Sequence, residues 1–288
     1  MVFSSMVFLC IFLPVVFLLH LLLPGIRAKN GMLLLASLIF YAYGEPVYVI
    51  LMIASAFVNY LSALLIGRKP TGKKAVMAVN VILNLGVLVL FKYTGFLAES
   101  VNTILGTAIP VPSIRLPIGM SFFTFQAMSY VIDVYRGVTG AQKNFGKVLL
   151  YISFFPQLIA GPIVKYHDIA QEIENRTQTV DGVTDGIRRF IVGLSKKVLI
   201  SNTVGLVADT LFAADVSGLN AAAAWIGAVS YMLQIYFDFS GYSDMAIGLG
   251  EMFGFHFKEN FNYPYISGSI REFWRRWHMS LSGWFQEY

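Results

Sequence analysis

Residues 47–66 read VYVILMIASAFVNYLSALLI, a run with no Asp, Glu, Lys, Arg or His. A helix of about 20 apolar residues is long enough to cross the ~30 Å hydrocarbon core of a bilayer. Basic residues follow the run almost directly, beginning with Arg68 and Lys69. Because a soluble protein rarely contains so long an uncharged helix, this stretch predicts a membrane span.

The composition of the whole chain agrees with that interpretation. Of its 288 residues, 57% are hydrophobic and 13% are charged, whereas soluble domains carry about 25% charged residues. The net charge is +5, which in a soluble protein would suggest nucleic acid as a partner. Here the basic residues lie between apolar runs and are better explained as a topology signal, so we predict membrane lipid and no nucleic acid.

The apolar runs predict an all-α, polytopic protein with about seven spans. The spans are predicted at 3–23, 31–43, 47–66, 75–91, 117–135, 190–213 and 222–250. Residues 148–163 are too short to cross and contain Pro156 and Gly161-Pro162, which predicts a re-entrant half-span. We predict one membrane domain over 1–288, with N-terminal spans in 1–135, a cytoplasmic helical segment at 166–189, two spans in 190–250 and a cytoplasmic-side interfacial segment at 256–288.

The basic residues orient these spans. Lys and Arg collect in the cytoplasmic loops of membrane proteins. If the N-terminus is outside, every Lys and Arg except Lys92 and Arg115 lies in or beside a cytoplasmic segment, including the loop at 67–74. We therefore predict an N-terminus outside the membrane and residue 288 on the cytoplasmic side.

Acidic side chains at membrane depth mark a candidate site. Asp238 and Asp244 lie in the 222–250 span with Ser240 between them. An ionised carboxylate at that depth costs about 2.5–3.5 kcal/mol, so each acid must face a cavity or a partner, or be protonated. Two interpretations stay open: ion pairs with groups such as Lys197 or Arg189, or a functional site. Ser240-Gly241 also predicts a local break in the helix.

Gln126, in the 117–135 span, is a further polar candidate, with hydrogen bonding between helices as the alternative. No glycine-rich nucleotide loop, metal-ligand cluster or serine nucleophile elbow occurs in the sequence, so no bound cofactor or metal is predicted. From the residues alone, a transporter and a membrane enzyme both fit.

Residues 270–287 predict one amphipathic helix. At about 100° per residue, one face is apolar and aromatic; it carries Ile270, Trp274, Trp277, Leu281, Trp284 and Phe285. Such a helix lies at a bilayer interface or packs on a membrane core. His278 lies at the edge of this face, where a neutral imidazole can act as an acid, a base or a hydrogen-bond partner. An ordinary structural histidine is the alternative.

Five segments together resemble the membrane-bound O-acyltransferase (MBOAT) family, in its bacterial alginate O-acetylation and D-alanyl-lipoteichoic acid branch. They keep their order along more than half of the chain: LPIGMSFFTFQAMSYVIDVYRG (116–137), FFPQLIAGPI (154–163), FDFSGYSDMAIGLGEMFG (237–254), NFNYPYI (260–266) and EFWRRWHMSLSGWFQEY (272–288). The segments containing GPI, FDFSGYSD and WRRWH are the specific ones.

The resemblance implies a helical ring around a funnel or tunnel in the bacterial cytoplasmic membrane. It implies an enzyme that passes an acetyl or other acyl group from a cytoplasmic thioester, similar to acetyl-CoA, toward an extracytoplasmic polysaccharide hydroxyl. An exported acetyltransferase or other glycan-modifying protein is the implied partner. His278 matches a characteristic polar position and is expected to position a substrate in the tunnel. Further tunnel residues are expected to be Asp238, Ser240, Asp244, Gln126, Trp274 and Trp277.

The family's usual catalytic base is a second histidine, in a Leu-Trp-His-Gly-like setting a few dozen residues further on. The chain contains no Leu-Trp-His or Trp-His-Gly and ends at Tyr288. We therefore expect the sequence to be C-terminally truncated and this chain alone to be inactive. A naturally short, non-catalytic relative is the alternative.

Two other functions remain open at this stage. An acyl-carrier or glycan transporter would move the intact carrier without transferring the acyl group. A non-catalytic scaffold for a secreted acetyltransferase would tolerate every substitution of a polar tunnel residue.

Overall fold

The computed structural model describes residues 1–68, 72–112, 114–215 and 218–288. No β-strand occurs within those ranges, and the prediction of an all-α fold is confirmed. Lys69, which belongs to the predicted basic loop, lies outside the described residues.

The α-helices of the described residues follow one another along the chain. They are α1 (Leu13–Leu22), α2 (Gly25–Gly44), α3 (Tyr48–Arg68), α4 (Lys73–Leu105), α5 (Met120–Arg136), α6 (Phe145–Ser153), α7 (Phe155–Leu158), α8 (Tyr166–Glu174), α9 (Val180–Ser195), α10 (Asn202–Phe212), α11 (Ala221–Met252), α12 (Ile270–Arg276) and α13 (Met279–Glu287). A π-helical turn, Phe8–Phe12, leads into α1, and another, Lys196–Ser201, joins α9 to α10 in one long helix.

Three helices of the described residues are long and apolar enough to cross a membrane. They are Tyr48–Arg68, Lys73–Leu105 and the joined helix Val180–Phe212. The predicted number of spans, about seven, is therefore not confirmed. α11 is not among the three; Gln234, Asp238 and Asp244 lower the mean hydropathy of this helix.

Helix α4 is longer than the span predicted at 75–91, because it continues through the more polar residues 92–105. The hydroxyls of Thr94, Ser100 and Thr103 each donate to the carbonyl four residues earlier, at 2.5–2.8 Å. These polar side chains are therefore satisfied within the helix itself. The helix ends where Gly106 adopts φ +62°.

The described chain forms two compact units. The first unit comprises Met1–Leu23, Ala160–Val164 and Asn175–Glu287, and the second comprises Pro24–Ile159, Lys165–Glu174 and Tyr288. Units of this kind also occur within one membrane domain, so the single domain predicted for 1–288 stays a prediction.

In the second unit, amide side chains join α3 to α4. Asn59 donates to Asn84 at 3.0 Å and accepts from Asn80 at 3.0 Å, and all three side chains are buried. Such interhelical hydrogen bonds stabilise helix pairs where no water is available. The predicted half-span, 148–163, begins within this unit as α6 and α7, separated at Phe154; its re-entrant placement stays a prediction.

In the first unit, α9 and α11 cross in close backbone contact. Gly193 lies against Gly241, and Gly186 lies against Gly248. A Cβ added to Gly193 would lie 2.5 Å from the Gly241 carbonyl oxygen. Small residues of this kind allow two membrane helices to approach closely.

This contact explains why the predicted break at Ser240-Gly241 is wrong. α11 runs unbroken from Ala221 to Met252, and its N-terminus is capped by Asn220, whose Oδ1 accepts from the Ala223 amide at 2.9 Å. Gly241 is therefore a packing residue: without a Cβ it admits the backbone of α9.

The prediction of one helix over 270–287 is also wrong. α12 begins at an N-cap, Ser269, and ends at Arg276; α13 begins at Met279, and His278 between them has φ +45°. A neighbouring segment takes over the backbone hydrogen bonds that a continuous helix would have made. Asn262 donates its amide to the Arg276 carbonyl, and Met279 donates to the Asn260 carbonyl, both at 2.9 Å.

Candidate functional site

The acids of α11 pair with bases at the end of α9 and in the π-helical turn. Asp238 pairs with Lys197. Asp244 accepts from Lys196 at 2.6 Å and from Arg189 at 3.1 Å. The ion-pair interpretation of both acids is confirmed. The pairs of Asp244, whose side chain is 16% exposed, partly offset the cost of its burial, whereas the Asp238 side chain is 48% exposed.

Arg189 joins two carboxylates. Its Nε and Nη2 donate to Oδ1 of Asp244, at 3.3 and 3.1 Å. Its Nη1 and Nη2 donate to the two carboxylate oxygens of Glu259, at 2.7 and 2.5 Å. Bidentate pairing of this kind holds a guanidinium in one orientation.

A cavity of about 420 Å³ lies beside this ion network, entirely within the first unit. It is lined by charged, polar and aromatic side chains: Arg189, Lys196, Asp244 and Glu259; Ser240, Ser243, Asn260 and Asn262; Tyr236, Phe261 and Tyr263; with Ile247 and Met279. Concave sites with a few convergent polar groups are the usual places for ligands.

Asn260 connects the cavity wall to the turn between α12 and α13. The side chain is 1% exposed. Its Oδ1 accepts from the Ser280 amide at 3.2 Å and from the Ser280 hydroxyl at 2.8 Å, and its Nδ2 donates to the Ser243 hydroxyl at 3.0 Å. Because a backbone amide can only donate, this contact fixes which end of the Asn260 amide faces Ser280.

The same oxygen fixes the tautomer of His278. Nδ1 of the imidazole lies 3.0 Å from Oδ1 of Asn260. An amide oxygen can only accept, so Nδ1 carries the proton and Nε2 keeps its lone pair. The imidazole ring also packs on Phe239 in an edge-to-face arrangement, with the ring centroids 4.7 Å apart. His278 is therefore held in one orientation directly behind two residues of the cavity wall, Asn260 and Met279.

Burial keeps this imidazole uncharged. It lowers the pKa of His278 from 6.5 to about 4. A neutral imidazole with Nε2 unprotonated can accept a hydrogen bond from a hydroxyl or an amide of a ligand.

This pKa predicts an acid-sensitive fold. Between pH 6.5 and 4 the unfolded chain binds a proton at His278 that the folded protein does not. This contribution to the free energy of unfolding is therefore complete above pH 6.5 and falls as the pH drops toward 4. Thermal unfolding in detergent at pH 7 and pH 5 checks it. His278→Asn, which cannot titrate, should lose less stability on acidification than the unsubstituted protein, and equal losses would contradict the assignment.

Four of the segments that suggested the family meet in this hydrogen-bond network. FDFSGYSD supplies Ser243, NFNYPYI supplies Asn260, and the WRRWH segment supplies His278 and Ser280. FFPQLIAGPI supplies Ile163, whose amide donates to the Ser280 hydroxyl at 3.0 Å. These segments therefore build one site although they are far apart in the sequence.

The structure distributes the predicted site residues unevenly. Ser240 and Asp244 line the cavity, and His278 lies behind its wall. Trp277 packs on Phe261, a residue that lines the cavity, with the ring centroids 5.1 Å apart. Trp274 is 55% exposed.

Two predicted tunnel residues have other surroundings. Asp238 is not among the residues lining the cavity. Gln126 belongs to the second unit and is completely buried. Neither polar atom of its amide has a hydrogen-bond partner within the described residues, so hydrogen bonding between helices does not explain this side chain. A tunnel role for both residues stays a prediction.

Asn260, Glu259 and Lys196 are site residues that sequence reasoning did not single out. Asn260 was visible only as the first residue of the NFNYPYI segment. Lys196 lies beside Lys197 within the span predicted at 190–213, and Glu259 lies beside Lys258 after the last predicted span; neither position carried a motif that indicated a site. Helix spacing alone could not show that they share a wall with Asp244.

Comparisons with known proteins identify the family of the chain. A family model described as MBOAT, the membrane-bound O-acyltransferase family, matches residues 136–288, more than half of the chain. The chain is 46% identical over 295 residues to a "Probable alginate O-acetylase" of Pseudomonas aeruginosa, covering 100% of this chain and 56% of that protein. The similarity includes every segment that lines the cavity.

Relatives with other acceptors are also similar. A peptidoglycan O-acetyltransferase of Helicobacter pylori is 35% identical, over 100% of this chain and 61% of that protein. A teichoic acid D-alanyltransferase of Bacillus subtilis is 32% identical, over 59% of this chain and 44% of that protein. The chain thus spans between 44% and 61% of the length of these three curated relatives. By the match of the family model, this chain belongs to the membrane-bound O-acyltransferase family.

Proposed function

We propose that the protein is a membrane O-acyltransferase that passes an acetyl group from a cytoplasmic thioester toward the hydroxyl of an extracytoplasmic polysaccharide. In the net reaction a bond forms between the hydroxyl oxygen and the acetyl carbonyl carbon, the carbon–sulfur bond of the thioester breaks, and the thiol leaves with the proton from the hydroxyl. The names of the alginate and peptidoglycan relatives support acetyl transfer to a glycan.

One observation carries the proposal: the hydrogen bond from His278 to Asn260 at the cavity wall. It leaves Nε2 of a neutral imidazole as an acceptor on a residue that is bonded to Asn260 of the cavity wall. In this proposal His278 positions the donor or the acceptor, and Asp244 and Ser240 shape the cavity wall. The base that takes the hydroxyl proton is not assigned to His278.

The direction of transfer follows the predicted topology. With the N-terminus outside and residue 288 inside, the α12–α13 region lies on the cytoplasmic side of the bacterial membrane, where thioesters are made. An exported acetyltransferase would then complete the transfer outside. Asp238, Gln126, Trp274 and Trp277 would line the remainder of the path.

A labelling experiment tests this function. Membrane vesicles from cells that produce the protein from its own gene are supplied with a thioester that is radioactive in its acetyl group. We expect the label to appear as an ester on the glycan or on the exported partner, and vesicles from cells without the gene serve as the control. Movement of intact carrier with no ester formed would support a transporter instead.

The same vesicles separate an enzyme from a scaffold. A scaffold for a secreted acetyltransferase would be needed for acetylation but would tolerate any change at the cavity wall. Ester formation that persists through substitutions of Asn260, Ser240 and Asp244, and disappears only when the protein is absent, would support that alternative.

A further inference from the structure

We propose that a cavity in the second unit holds the acyl chain of a membrane phospholipid. The cavity has a volume of about 170 Å³ and is lined by residues of α3, α4 and α5, which all belong to this unit. The inference does not depend on the proposed acyl transfer, because it concerns the lipid that surrounds the protein and not the substrates of the reaction.

The mouth of the cavity faces the bilayer. It is formed by side chains that stay exposed on α3 and α4, among them Val58, which is 37% exposed, and Leu83, which is 49% exposed. Both helices are long and apolar enough to cross a membrane. Val58 lies about 15 Å from either end of α3 at the rise of an α-helix. The medium outside the mouth is therefore the hydrocarbon of the bilayer.

Buried side chains of α5 form the floor of the cavity. Met120 and Phe123 line it and are each 1% exposed. Both residues belong to the segment 116–137, which resembles the family but is not among the segments that meet around Asn260 and His278. A lipid site gives this part of the segment a function that the candidate site in the first unit does not.

The lining of the cavity suits an apolar ligand. None of the described residues that line it is charged, and its two amides, Asn59 and Asn84, donate to each other at 3.0 and 3.1 Å. The hydroxyls of Ser55 and Thr124 are the remaining polar side-chain groups. A buried water needs about two to four polar partners, so water is a poor occupant. A hydrocarbon chain instead makes the dispersion contacts that the lining would lose around an empty cavity.

Photo-cross-linking tests the inference. The full-length protein is placed in bilayer discs of a phosphatidylcholine that carries a diazirine on one acyl chain, and the labelled residues are mapped by mass spectrometry. Lipid around the protein should label Ile82, which is 68% exposed on α4 and does not line the cavity. A chain inside the cavity should also label Met120 or Phe123, which lipid outside the cavity cannot reach. The measurement is the ratio of label on these floor residues to label on Ile82.

Two filling variants and a control accompany this measurement. Ala54→Phe and Val87→Phe each place a ring in the cavity, from α3 and from α4, and each should lower the ratio about tenfold, because the ring takes the space of the chain. Leu85→Phe adds a ring on α4 outside the cavity, where the residue is 40% exposed, and should leave the ratio unchanged. The thermal midpoint of each variant shows that it is folded.

Two results would overturn the inference. The first is label confined to outward-facing residues of the unsubstituted protein, which would mean that no lipid chain enters the cavity. The second is a ratio that stays the same in a folded filling variant, which would mean that the floor residues are labelled by another route. Neither result bears on the proposed acyl transfer, since no turnover is measured.

Discussion

Replacing His278 with alanine is expected to lower acetyl transfer on the order of 100-fold, the scale on which misplacing a bound group slows a reaction. Alanine removes the Nδ1 hydrogen bond to Asn260 and the Nε2 acceptor in one step. The folded protein should persist, because Asn260 still accepts from the amide and hydroxyl of Ser280. Acetyl ester formed on the glycan, normalised to the amount of folded protein, is the measurement.

A conservative variant separates a positioning role from a basic one. His278→Asn keeps a polar side chain that can bond to Asn260, and asparagine tolerates the left-handed backbone at this position, φ +45°. If His278 positions a substrate, the asparagine variant should recover most of the activity that the alanine variant loses. If His278 removed the hydroxyl proton, asparagine would be as poor as alanine.

The control for this series is His256→Ala. His256 is exposed and does not line the cavity, so transfer should stay at the level of the unsubstituted protein. Unchanged transfer in His278→Ala would remove His278 from the proposed site. Equal losses in the asparagine and alanine variants would replace positioning with proton transfer.

The sequence was most informative about its apolar runs and its acids. Uncharged length predicts helices directly, because backbone groups in lipid must be satisfied within the helix. The depth of Asp238 and Asp244 predicted basic partners for the same energetic reason, and Lys197 and Arg189 are among those partners. Both inferences depend on the solvent and not on the details of packing.

Predictions that depended on local conformation were less successful. The sequence predicted a helix break at Gly241, because glycine destabilises a helix interior. Its actual role depends on Gly193, far away in the sequence. The helical periodicity over 270–287 similarly missed the turn at His278, because the groups that satisfy this turn belong to Asn260 and Asn262. Tertiary partners of this kind have no signature in the segment that they reshape.

The candidate site was also only partly predictable from the sequence. Recognised segments pointed to His278, Ser240 and Asp244, which lie in or beside one cavity. They gave no reason for Asn260, whose buried amide holds the imidazole in one tautomer. A residue that acts by holding another becomes visible only when both are placed in space.

Replacing Gly193 with alanine is expected to destabilise the fold strongly. The added Cβ would lie 2.5 Å from the carbonyl oxygen of Gly241 and 2.6 Å from the amide nitrogen of Met245. Both obstacles are backbone atoms, so no rotamer change relieves the clash and the helices must separate. Overpacking of this kind costs about 1–3 kcal/mol or more. Each kcal/mol lowers the thermal unfolding midpoint by about 2–4 °C in proteins of this size.

Separation of α9 from α11 should also change the candidate site. Arg189 and Lys196 approach Asp244 across this same α9–α11 contact, at 3.1 and 2.6 Å. A shift of a few tenths of an ångström at Gly193 therefore lengthens both ion pairs and alters the cavity wall. We expect Gly193→Ala to lose acetyl transfer together with stability, and the thermal midpoint in detergent and the ester yield are measured on the same membranes.

Gly86→Ala is the matched control for this substitution. Gly86 lies in α4, and a Cβ added there meets nothing within 4 Å. Alanine is more favourable than glycine within a helix by roughly 0.5–1 kcal/mol, so this variant should unfold at the same temperature as the unsubstituted protein or slightly above it. Should Gly193→Ala behave like Gly86→Ala, the glycine contact would not determine the α9–α11 distance, and the ion network would need another support.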